Sequence, residues 1–145
     1  GPSHKLGEFY LSGQPAQPDF YTAQDEGVKT VINVRLEREL YGLGYDEDVA
    51  IEDIGLKYIH FPVGPDSFDD AAATKFLAMV REAEKPVLIH GSNGNRVWGL
   101  WALWMGMEHG VPLEVTAAKA KTLGIKKLVV DKAVGEYLLR RASKP

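Results

Sequence analysis

Val87-Leu88-Ile89-His90-Gly91-Ser92-Asn93-Gly94-Asn95-Arg96 is the stretch whose reading decides the fold. It opens with a short apolar run after Pro86, passes through a loop with glycines at 91 and 94, and leads into the apolar pattern from Val97 onward. A strand, a glycine-containing loop and a helix in that order are the sequence form of an anion cradle. The backbone N–H groups of Ser92, Asn93, Gly94, Asn95 and Arg96 are expected to converge on one point, where the positive end of the helix dipole adds to the field. Gly91 and Gly94 are expected to take backbone angles that a side chain would obstruct. Arg96, in the first helical turn, has the fork geometry to grip two oxygens of a phosphate, sulfate or carboxylate. The same residues also read as an ordinary glycine turn beside a surface arginine.

Outward from the loop, strands alternate with helices. Upstream, Phe9-Tyr10-Leu11 reads as a strand, followed by the turn Ser12-Gly13-Gln14-Pro15. A helix opens at Pro18 and stops at Gly27, with proline and glycine at their favoured ends. Val28 to Val34 is a β-branched run with few charges, as a buried parallel strand requires. Asp46 to Ile54 reads as a short helix closed by Gly55, and Lys57 to Phe61 as a strand ended by Pro62. Asp69 or Ser67 caps a helix running to about Glu84, with Phe76, Leu77, Val80 and Ala83 turned inward. Downstream, helices are expected from Arg96, near Leu113 to Leu123, and near Lys132 to Arg141. The alternation predicts a single α/β domain with a mostly parallel central sheet of about four to five strands, flanked by helices on both faces. Ligands of such sheets sit beyond the carboxyl ends of the strands, where Arg35, Asp66 and Gly91 to Arg96 all fall.

Bulk properties narrow the function classes. The chain has 145 residues, enough for one domain with a real core. A formal net charge of -3 gives no basic stripe for a nucleic-acid backbone, so no nucleic-acid partner is expected. Lys119, Lys121, Lys126 and Lys127 read as a solvated helix face and loop. There is no cysteine, which excludes disulfides, thiolate metal sites and thiol catalysis by this molecule. The histidines are scattered, so neither a metal nor another cofactor is expected. The longest apolar candidate, Val97 to Met107, is too short for a membrane span, and no membrane partner is expected. Gly1-Pro2-Ser3-His4 reads as a remnant of tag cleavage, so residues 1–7 are assigned to a tail and residues 8–145 to the domain.

At this point the residues carry a resemblance. Val87-Leu88-Ile89-His90 followed by Gly-x-x-Gly-x-Arg resembles the signature loop of the dual-specificity-type, cysteine-dependent protein tyrosine phosphatase superfamily. The similarity is to a bacterial branch with four residues between cysteine and arginine, which often carries Gly-Asn-Arg-Val where this chain has Gly94-Asn95-Arg96-Val97. Ser12-Gly13-Gln14-Pro15 resembles that branch's opening motif, and Gly27 to Arg35 its second strand and usual arginine. Tyr58-Ile59-His60-Phe61-Pro62-Val63 resembles the strand before its general-acid loop. The resemblance implies a soluble bacterial protein, of cytoplasm or periplasm, whose ligand is phosphate, sulfate, or a phosphorylated small molecule or protein. It leaves the oligomeric state and the compartment open.

The departure lies at the centre, because the family's nucleophile maps onto Gly91. In these enzymes the loop amides and helix dipole lower a thiol pKa so that thiolate attacks phosphorus. Glycine forms no cysteinyl-phosphate, and Ser92 stands one residue along. Gly91 therefore reads in two ways, as a trapping substitution in an active phosphatase or as the mark of a natural pseudophosphatase. A rhodanese-like sulfurtransferase and a plain anion-binding module are the alternatives, since rhodaneses share the strand, Cys, four residues and Arg.

By the same resemblance Asp66 stands where the general acid is carried, in a partly buried setting, and His90 orders the loop by hydrogen bonding. Read from the residues, Asp66 equally fits a loop aspartate, and Asp69 and Asp70 fit helix capping. His60 reads as a satisfied core histidine. Arg35 either faces the anion pocket or pairs with Glu37 or Glu39. Trp98, Trp101 and Trp104 read as one packed helical face, with Trp98 near enough to the loop to wall the pocket.

Overall fold

A computed structural model describes residues 3–142, and Gly1 and Pro2 of the expected tag remnant lie outside the described residues. Among the described residues, five strands form one sheet: β1 (Ser3–Leu6), β2 (Phe9–Ser12), β3 (Thr30–Asn33), β4 (Lys57–His60) and β5 (Val87–His90). The spatial order is β1-β2-β5-β3-β4. β1 pairs antiparallel to β2 and every other pairing is parallel, so the expected α/β class with a mostly parallel sheet is what forms. Ser3 to Leu6, assigned to a tail from the sequence, instead make the antiparallel edge strand. Its alternation of exposed and half-buried residues is too short to stand out from a tag.

The chain divides into two compact units. One comprises the chain up to Val63 together with Glu82–Gly94, and the other comprises Gly64–Arg81 and the chain from Asn95 onward. The first unit holds the sheet, α1 (Asp19–Asp25), a 3-10 turn (Glu37–Leu40) and α2 (Glu47–Asp53). Helix α1 begins after Pro18, and the chain leaves it through Gly27, whose φ of 96° is favourable only for a residue without a Cβ. One face of the sheet presents the row Tyr10, Leu88, Val31 and Tyr58, joined strand to strand by the register. Phe20 and Ala23 of α1 and Ile51 of α2 close a cluster over this row with Val28, Ile54 and Leu56. At 25 cal/mol per Å² of apolar area, each such side chain contributes about 2 kcal/mol of burial. Two residues further along, on the same face and at the carboxyl ends, lies the polar row Ser12, His90, Asn33 and His60.

The second unit is built on helices α3 (Asp70–Glu82), α4 (Gly94–His109), α5 (Leu113–Thr122) and α6 (Asp131–Ala142). Asp69 caps α3, its Oδ1 accepting from the Ala72 amide at 2.9 Å, as the sequence suggested. Ala73, Phe76, Leu77 and Val80 form its buried face, whereas Ala83, expected on that face, lies beyond the helix end and is only half-buried. Helix α6 meets α3 through Thr74 Oγ1 and Tyr137 OH, 2.9 Å apart, and through the Arg140–Asp70 ion pair. Gly99 of α4 admits the 129–130 segment so closely that a Cβ there would stand 2.1 Å from the Val129 carbonyl oxygen. Val129 N also donates to Asn95 O at 3.2 Å, fixing this segment to the first turn of α4. Beside it Val130 holds a φ of 64°, a left-handed conformation costly for a β-branched residue. No helix among the described residues is long and apolar enough to cross a membrane.

Candidate anion-binding site

The signature loop leaves β5 at the end of the polar row. His90 contributes its carbonyl to the Val34 amide at 2.9 Å, and the Gly91 amide donates to Ser12 O at 3.2 Å. The Gly91 amide is thus spent on the sheet, and the amides expected to face an anion all follow it. Ser92 and Asn93 are exposed, and Gly94 and Asn95 are half-buried. The Gln14 amide approaches Ser92 O at 3.5 Å, and a Cβ on Gly13 would stand 3.2 Å from the same oxygen. The Ser12-Gly13-Gln14 turn therefore packs against the start of the loop.

The expectation that Gly91 and Gly94 supply unusual backbone angles does not hold. Among the described residues, positive φ occurs at Gly7, Gly27, Gly44, Gly55, Gly110, Gly124 and Val130, and at neither loop glycine.

Beneath the loop lies a buried polar network that the sequence reading missed. Glu47, in the first turn of α2, is 4% exposed, and His90 is fully buried. His90 Nε2 and Glu47 Oε2 are 2.7 Å apart. The same oxygen accepts from Asn33 Nδ2 at 3.1 Å, and Glu47 Oε1 accepts from Gln14 Nε2 at 2.7 Å. Asn33 Nδ2 also donates to Tyr58 OH at 3.0 Å, and Asn33 Oδ1 accepts from the Arg35 amide at 2.9 Å. Burial alone would push the Glu47 carboxyl up, but the bond and charge of His90, with bonds from Gln14 and Tyr58, outweigh it and hold the group below the usual carboxylate range. The Tyr58 hydroxyl is pushed up, first by burial and then by the neighbouring Glu47 charge. Nothing local in Asp46-Glu47-Asp48 separates Glu47 from an acid that merely favours a helix N-terminus. Its partner His90 is far away in the chain.

Arg35 takes the pairing expected as one of its two roles. Nη1 donates to Gln14 Oε1 at 2.7 Å, Nη2 to Glu39 O at 2.6 Å, and Nε lies 3.7 Å from Glu39 Oε2. Glu39 Oε1 accepts from the Leu36 amide at 2.8 Å, which ties down the 35–39 segment. Gln14 thereby stands between a guanidinium and a carboxylate with its amide oriented by both. His60 is exposed, not in the core as expected, because it ends an outer strand; its Nε2 lies 2.6 Å from Arg35 O.

The remaining candidates belong to the second unit. Arg96, in the first turn of α4, is only 7% exposed, which removes the reading of a surface arginine facing bulk water. Asp66 is exposed and not partly buried as expected. Trp98 is 1% exposed, and Trp101 and Trp104 are buried beside it on α4, consistent with packing as their role. Among the described residues no group of three or more histidines and carboxylates could hold a metal ion.

The phosphatase-like domain of beta-lactamase hydrolase-like protein matches as a family over residues 6–107. A beta-lactamase hydrolase-like protein of Agrobacterium fabrum is 32% identical over 95 residues, covering 64% of this chain and only 22% of that protein. Among solved structures, PTPMT1 in complex with PI(5)P superposes with a TM-score of 0.78 at 16% identity, over 97% of this chain and 99% of the other. Tk-PTP in a Gly-to-Ala mutant form gives 0.77 at 20% identity, over 97% and 95%. A Cys-to-Ser form of P. aeruginosa TpbA in complex with pTyr gives 0.71 at 18% identity, over 98% and 96%. At these identities the structural likeness speaks for the fold.

Proposed function

The chain belongs to the family of beta-lactamase hydrolase-like phosphatase-like domains and has the fold of the cysteine-dependent tyrosine phosphatases, and on that premise we propose that it binds a phosphate monoester or similar oxyanion on the Ser92–Arg96 loop without cleaving it. The observation that carries this reading is the buried Glu47–His90 pair, 2.7 Å apart under the loop. Taking a carboxylate and an imidazole out of water is costly, and removing either partner leaves a buried polar group unsatisfied. Such a brace fits a loop that must keep one shape whether or not it carries a nucleophile.

The loop offers backbone donors after Gly91, the N-terminus of a sixteen-residue helix, and the buried Arg96. These are elements for holding an oxyanion. The bond-forming step of the family has no agent here, since Gly91 supplies no thiolate to attack phosphorus and no cysteinyl-phosphate forms. The fold relatives in complex with pTyr and PI(5)P carry phosphate monoesters, which favours that ligand class for this chain as well.

Calorimetric titration with inorganic phosphate and with phosphotyrosine tests the proposal. The protein is expected to bind with a Kd of about 1 mM or tighter, near 4 kcal/mol, and Arg96→Ala is expected to abolish the heat. No binding at millimolar phosphate, with the fold intact, would remove the reading.

A further inference from the structure

We infer that Glu47 is a positioning residue for the anion loop, acting through the His90 ring to fix the peptide from which the loop departs. The inference rests on the oxyanion-binding reading above and names a member of that site outside the signature loop.

The argument starts from satisfaction of the carboxylate. Three donors converge on Glu47: His90 Nε2, Asn33 Nδ2 and Gln14 Nε2. Each comes from a different segment, namely β5, β3 and the turn after β2. A carboxylate with so many directed partners has one place to sit, and it clamps these segments to one another. The other ring nitrogen of His90 faces Gly91 O at 3.4 Å. With Nε2 donating to Glu47, the ring orientation sets Nδ1 against the first carbonyl of the loop, a contact that is a hydrogen bond when Nδ1 also carries a proton. The same peptide region is held by Gly91 N on Ser12 O, and the next residue by the close approach of Gly13 to Ser92 O. The ring that faces the first loop carbonyl is therefore itself held in place by Glu47.

Charge gives the second strand of the argument. A bare carboxylate beneath an oxyanion loop would repel its ligand. Here the groups around Glu47 are the His90 imidazole, the Gln14 amide polarised from its far side by Arg35, the Asn33 amide and, through Asn33, the Tyr58 hydroxyl. The carboxylate is covered by donors on every side that the network shows, so it orients these groups at little cost to anion affinity.

The test is phosphate binding by the whole chain and its Glu47→Gln, His90→Asn and double variants, with folding monitored by circular dichroism. Glu47→Gln is isosteric, and its binding is expected to weaken on the order of tenfold, the scale of one hydrogen bond to a charged group. If Glu47 acts through His90, the double variant binds no worse than the weaker single one; losses that multiply would overturn the inference. A Glu47→Gln protein binding within twofold of the parent would overturn it too.

A second measurement needs no variant. The His90 Nε2–H proton is expected as a slowly exchanging downfield NMR resonance that shifts on phosphate addition, a response that a purely structural contact would not give. A resonance indifferent to saturating phosphate sinks the inference while the oxyanion reading survives. Absence of phosphate binding by the parent chain removes both.

Discussion

Gly13 lies so near Ser92 that a Cβ added to it would stand 3.2 Å from the Ser92 carbonyl oxygen and 3.3 Å from the Asn93 Cα. Both neighbours are backbone of the anion loop, so relief of the contact must come from the loop itself. Gly13→Ala is expected to cost about 1–2 kcal/mol of stability and to weaken phosphate binding severalfold. A melting curve and a calorimetric titration check the two effects together. Unchanged affinity would show that the loop tolerates a shift at Ser92.

Acid stability reports on Glu47. Its carboxyl is held below the ordinary value of 4.5, chiefly by His90 against the opposing effect of burial. The protein therefore gains stability from this group above about pH 4.5, fully so near neutrality, and loses it as pH falls through the lower folded value. The thermal midpoints of the parent and Glu47→Gln proteins are expected to differ at pH 7 and to converge below pH 4. Parallel curves across that range would contradict the linkage.

Gly91→Cys separates the two origins of the missing nucleophile. Gly91 is not among the described glycines with positive φ, so a side chain there meets no left-handed backbone. The variant is expected to fold with a thermal midpoint within about 4 °C of the parent, the equivalent of 1 kcal/mol or less. Hydrolysis of p-nitrophenyl phosphate is the readout. Turnover would mean that the rest of the catalytic apparatus persists, and a folded, phosphate-binding but inert variant would mean that it does not.

Gly99→Ala tests the close packing of the second unit. Its Cβ would stand 2.1 Å from the Val129 carbonyl oxygen and 3.1 Å from Val130 Cγ2. The displaced segment carries the strained Val130 and the Val129 amide bonded to Asn95 O. A loss of about 3 kcal/mol is expected, read as a fall in the urea midpoint at unchanged m-value. A change below about 0.5 kcal/mol, the scale of ordinary surface substitutions, would contradict the close packing.

Most of the regular structure was legible because its signals are local. Pro18 and Gly27 bracket α1, Asp69 caps α3, and the β-branched run ending at Val34 produces a buried central strand. The edge strand β1 was not legible, since Ser3 to Leu6 carry no apolar run and acquire their conformation from β2. The candidate site was read from the sequence as a loop and its arginine, residues that a resemblance names in order. Glu47 and Asn33 were not, because each looks ordinary among its sequence neighbours and gains meaning only from a partner many residues away. The backbone angles were misjudged for a related reason. Glycine permits left-handed torsions without requiring them, and Gly91 and Gly94 do not use that freedom.

The antiparallel pairing of Ser3–Leu6 with Phe9–Ser12 has a practical consequence. β2 is buried along its whole length, with Phe9, Tyr10 and Leu11 in sequence, and without its neighbour would offer a row of unsatisfied amides and carbonyls flanked by apolar side chains. Trimming the chain to Phe9 is expected to bare that template and favour self-association, so residues that read as a cleavage remnant cover an edge that β2 would otherwise expose.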